Sequence, residues 1–104
     1  MKPAHLRPLA GDDLVGRTRH DRQAGGDDLA ERFFDAAAGA LRSIEQMPGI
    51  GSPRLGEMVG IAGLRRIGIE GFPCGWLYLE RREHLDVVRL LADRQDLVLL
   101  LGGE

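Results

Sequence analysis

The chain has 104 residues and a formal net charge of −2, with 43% hydrophobic and 29% charged residues. That is enough for one modest core, not two. No apolar run approaches the roughly 20 residues of a membrane span, no apolar core of a secretory signal stands at the N-terminus, and the charge balance does not suit a general nucleic-acid binder.

Cys74 is the only cysteine, which excludes an internal disulfide and makes a cytoplasmic setting the expectation. His5, His20 and His84 lie far apart in sequence without ligand-spaced partners, so neither a metal site nor a cofactor is expected. Thirteen of the fourteen basic residues are arginine. From Arg54 to Arg94 seven of them face six acids, so any positive surface must be local.

Residues 3–9 carry two prolines, which suits an edge strand. Gly11-Asp12-Asp13 reads as a helix start with an aspartate cap. The segment Leu14 to Arg22 that follows is poorly amphipathic, as in an exposed helix. Gly25-Gly26 breaks the chain, and Asp27-Asp28 caps a second helix, Leu29 to Met47. Its stripe is Leu29, Phe33, Ala36, Ala37, Ala40, Ile44 and Met47, widened by Phe34 and Leu41. Pro48 and Gly49 end it, and a loop is expected from Pro48 to Gly63.

Three strand candidates follow: Leu64 to Ile69, Trp76 to Leu79, and His84 to Ala92. In the last, strict alternation puts Leu85, Val87, Arg89 and Leu91 on one face, with Asp86, Val88, Leu90 and Ala92 on the other. The tail from Asp96 to Leu101 is strongly apolar. The order β-α-α-β-β-β predicts a single α+β domain over residues 1–104, two N-terminal helices packed on a small antiparallel sheet.

Four motifs carry a resemblance. They are Leu29-Ala30-Glu31-Arg32-Phe33-Phe34-Asp35-Ala36 running to Met47-Pro48-Gly49-Ile50-Gly51-Ser52-Pro53-Arg54, Gly63-Leu64-Arg65-Arg66, Gly71-Phe72-Pro73, and Val88-Arg89-Leu90-Leu91 with Arg94 and Asp96-Leu97. In order and spacing they resemble the ParE/RelE superfamily of bacterial toxins, the ParE branch more closely. The pattern is departed from in three places: the usual Phe-Tyr-Arg of the second hairpin strand reads Tyr78-Leu79-Glu80, the common histidine after the last strand is Ala92, and the aromatic usual in the first helix near Arg17–Arg19 is missing.

The resemblance implies the toxin of a type II toxin–antitoxin module, held by a ParD-like antitoxin that wraps along its helices and sheet. A ParE-type toxin would inhibit DNA gyrase by protein contact; the alternative is a ribosome-dependent mRNA endonuclease of the RelE kind. Nuclease chemistry needs a general base beside cations and aromatics. His84 is the one base near the sheet, with Arg65, Arg81, Arg89 and Arg94 as cations, and it reads better as a turn residue. No catalytic residue is therefore assigned.

The expected partner-binding residues are Arg65, Arg66, Trp76, Tyr78, Arg89, Arg94, Leu97 and Leu99. Each also has a structural reading: Trp76 and Tyr78 as core, Arg89 as half of an ion pair inside an apolar strand. Neither a membrane nor direct sequence-specific nucleic-acid binding is expected.

Overall fold

The computed structural model describes residues 1–94. Strand β1 (Ala4–Leu6) leads into a long helix α1 (Pro8–Gln46), then a 3-10 turn (Pro48–Ile50), helix α2 (Arg54–Val59) and strands β2 (Leu64–Gly68), β3 (Cys74–Glu80) and β4 (Leu85–Ala92). The α+β sandwich is as expected. The sheet order is β1-β4-β3-β2. β2, β3 and β4 form the antiparallel meander. β1 joins it parallel to β4, which makes the sheet mixed.

The two expected helices are the two limbs of α1, separated at Gly26. Its φ of 80° and ψ of −171° belong to a region that only glycine occupies readily. The first limb starts earlier than the aspartates suggest, with Pro8 supplying a fixed φ and no N–H at the first turn. Asp13 is therefore inside the helix and free to bond elsewhere. The second limb buries Ala30, Phe33, Ala37, Ala40 and Ile44, while Met47 lies past the helix and is exposed. Small alanines let this limb approach the sheet closely enough for Trp76 Nε1–H to donate to the Ala37 carbonyl at 3.0 Å.

The expected loop from Pro48 to Gly63 is more ordered than its glycines suggest. Its turn is pinned by Tyr78, whose hydroxyl accepts from Gly51 N–H (2.9 Å) and donates to the Pro48 carbonyl (2.7 Å). A Cβ on Gly51 would sit 2.5 Å from that hydroxyl oxygen, so the close approach requires glycine. α2 then ends on Gly60, in the left-handed conformation.

Strict alternation along β4 is broken. Leu77 pairs with Arg89 and Tyr78 with Val87, so Val88 is an extra residue in a bulge. Leu85, Val87 and Leu90 consequently all join the core under α1 with Trp76, Tyr78 and Phe33. Leu91 passes to the opposite face, where it packs with Leu64 and Leu77. The side-chain period is two, so one inserted residue exchanges the faces beyond it.

Candidate partner-binding surface

The expected contact residues fall into several distinct environments. Trp76 and Tyr78 are 0% exposed and are core residues, so they offer no surface to a partner. Burial pushes the Tyr78 hydroxyl above its ordinary pKa and does the same to the Cys74 thiol. Arg65 is on the helix side of β2 and donates to the Gly51 (2.7 Å) and Gly49 (3.3 Å) carbonyls, bracing the 3-10 turn. Arg66 is on the other face, lies over Gly75 and pairs with Asp93. Arg94 is exposed in the turn after β4. Leu97, Leu99 and the rest of the apolar tail lie outside the described residues.

Arg89 is tied down. Its guanidinium donates twice to Asp13, at 2.8 and 3.1 Å, and the same carboxylate accepts from Leu90 N–H at 3.0 Å. These bonds hold the Arg89 guanidinium above its ordinary pKa. β1 pairs with β4 only as far as Val87, and beyond it the free edge of β4 is closed by Asp13. The first limb of α1 is thereby anchored to the sheet despite its weak apolar face.

A second ionic cluster stands where β1 meets β4. Arg7 donates twice to Asp86 (2.9 and 2.8 Å) and Arg81 adds bonds at 3.3 and 3.1 Å. Chiefly through the Arg7 hydrogen bonds, the Asp86 carboxyl is lowered to about 2. Lys2 pairs with Glu80 at 2.7 Å. His84 stacks on His5 with ring centroids 4.9 Å apart. That puts its ring at the opposite end of β4 from Arg89. Among the described residues no group of three or more His, Cys, Asp or Glu side chains could hold a metal ion. Nor is any helix among them long and apolar enough to cross a membrane.

The exposed apolar surface lies largely elsewhere. Phe34 is 49% exposed and Val15 57%. They stand in a groove between the two limbs of α1, in adjoining depressions of about 260 and 350 Å³ that share Thr18, Arg22 and Phe34. Arg19 and Arg22 give the first limb a basic wall; Glu31 and Asp35 give the second an acidic one. Phe34 was expected to widen the buried stripe of the second limb and instead faces outward, because it follows Phe33 by one residue, about 100° around the helix. Four further exposed apolar residues, Met47, Ile50, Met58 and Ile61, cluster in the segment around α2.

No family model and no curated protein matches the sequence. Among solved structures, a chain of "Chromosomal ParDE TA system from P. aeruginosa" superposes with a TM-score of 0.75, over 88% of this chain and 96% of that one, at 17% sequence identity. This chain has a ParE-like fold. The match spans nearly the whole of both chains, so the ParE-like fold is not a shared fragment.

Proposed function

We propose that the chain is the toxin of a type II toxin–antitoxin module, neutralised by a ParD-like antitoxin and directed at DNA gyrase through protein contacts. The observation that carries the reading is the near end-to-end superposition on a chain of a ParDE system. The four motif matches support it from the sequence side. The ionic groups of the sheet support a binder over a ribosome-dependent nuclease, because Arg7, Arg66, Arg81 and Arg89 are engaged by carboxylates and His84 by His5.

In this reading an antitoxin helix lies in the groove between the limbs of α1. Its apolar residues flank Phe34, its acids meet Arg19 and Arg22, and its bases meet Glu31 and Asp35. Gyrase contact falls to the apolar tail with Leu97 and Leu99, together with Arg94. Deleting residues 97–104 is then expected to reduce growth arrest more than antitoxin binding.

Supercoiling by purified gyrase, with and without an excess of the protein, decides the target. Inhibition or a trapped cleavage complex is expected, and the absence of both would exclude gyrase. Growth arrest accompanied by specific cuts in translating mRNA would instead identify the RelE type of activity.

A further inference from the structure

The exposed apolar residues around α2 lie outside the groove between the limbs of α1, and the helix beneath them has a fixed inner side. Leu55 packs with Leu64, Leu77 and Leu91, and a Cβ on Gly56 would stand 2.5 Å from the Leu64 carbonyl oxygen. α2 therefore lies directly on β2 and turns Arg54, Glu57 and Met58 outward, all three exposed. Arg54 stands three residues from Glu57 and four from Met58, so the three are neighbours on one helix face.

That face carries features that complement one another. Beside α2 is an open depression of about 420 Å³, lined by Gly56, Glu57, Gly60, Ile61, Leu64 and Arg65 among others. Met58 is 60% exposed and takes no part in that lining, so one surface presents both an apolar knob and a hole. Arg54 and Glu57 are opposite charges, and among the described residues neither side chain has an ion-pair partner.

We infer that this face joins two copies of the chain about a two-fold axis. A surface that pairs with itself must carry each contact together with its complement. Antiparallel α2 helices set Met58 of each copy in the depression of the other, where a flexible thioether fills an irregular hollow. Arg54 of each copy then meets Glu57 of the other, which fixes the antiparallel arrangement by charge. An unrelated partner would need only one half of each pair. The inference does not rest on the toxin–antitoxin reading, because the face shares no residue with the groove between the limbs of α1. A standard interface buries about 800 Å² per partner. This one is built on a helix of six residues, so the association is expected to be reversible.

Sedimentation of the full-length chain over a concentration series tests it, with Phe34→Glu in the background so that the α1 groove contributes no association. A reversible monomer–dimer equilibrium is expected. Arg54→Glu or Glu57→Arg alone should weaken the dimer at least about tenfold, because the two-fold axis makes each change act twice. Circular dichroism checks that each variant keeps its fold. The two single variants, mixed, should associate as tightly as the parent, and so should the double variant, since opposite charges face each other again. Met58→Asp should abolish the dimer.

A chain that stays monomeric at every concentration would overturn the inference. So would a dimer indifferent to the single charge reversals, or single variants that fail to pair when mixed. Loss of the dimer on binding antitoxin or gyrase, with Met58→Asp losing that partner as well, would assign the face to that partner instead.

Discussion

Arginine side chains explain much of how this small sheet is held, and they act inward rather than as a basic surface. Asp13 serves Arg89 and the Leu90 amide together. Asp13→Ala should therefore destabilise by about 2 kcal/mol, and more than Arg89→Ala, since it leaves both a cation and an edge N–H unpaired. Urea unfolding of the two variants checks the order. Tyr78→Phe strands the Gly51 N–H and the Pro48 carbonyl at once and should cost about 1–3 kcal/mol by the same measurement. Asp86 gives a pH signature. Its folded pKa of about 2 lies below the ordinary 3.8, so its contribution is complete above that ordinary value and is lost as the pH falls toward 2. Arg7 and Arg81 are nearly half exposed, so screening limits the effect to on the order of 1 kcal/mol. Thermal melts from pH 5 to pH 2 should show Asp86→Asn losing this component of acid sensitivity. One buried group has no such account: Asp21 bonds Arg17 and His20 through Oδ1, and its Oδ2 has no partner among the described residues.

At the scale of elements, the α1 hairpin depends on a conformation that side chains disfavour. Gly26→Ala should destabilise by about 1–3 kcal/mol, since φ of 80° with ψ of −171° is close to glycine-only. Circular dichroism should show helix retained and the melting temperature lowered, because each limb has its own hydrogen bonds. The two limbs were legible in sequence from Gly25-Gly26 and the Phe33–Ile44 stripe. The position of the first limb was not, because its anchors are an ion pair to β4 and the guanidinium of Arg17 over the Phe33 ring (5.5 Å), neither of which has a period. β4 shows the converse case: its existence was plain from composition, while its facing was decided by a bulge in the pairing with β3.

For the molecule as a whole, the apolar groove between the limbs of α1 and the exposed apolar residues around α2 leave surface that a partner would cover. On the proposed toxin–antitoxin reading, the chain is expected to self-associate when produced alone and to become monodisperse when co-expressed with the antitoxin that reading implies, as measured by light scattering. Phe34→Glu places a charge in the groove while sparing the core, because Phe34 is already half exposed. It should weaken the complex at least about tenfold with little change in thermal stability. A monomer that is well behaved alone and indifferent to the antitoxin would contradict this picture.

Sequence by itself determined the α+β class, the element order, the helical hairpin, the meander and a set of motifs resembling ParE-type toxins. Those features are local: periodicity, glycine and proline punctuation, and spacing along the chain. Tertiary structure decided which candidate residues have any surface. Trp76 and Tyr78 sank into the core, Arg65 and Arg89 turned to a loop and a helix, and Phe34 emerged between two limbs. Burial and pairing are set by what another segment brings to a residue, and Arg89 and Asp13 meet across 76 positions of chain. The parallel placement of β1 and the bulge at Val88 belong to the same class, since strand pairing joins distant segments and leaves no pattern within either one.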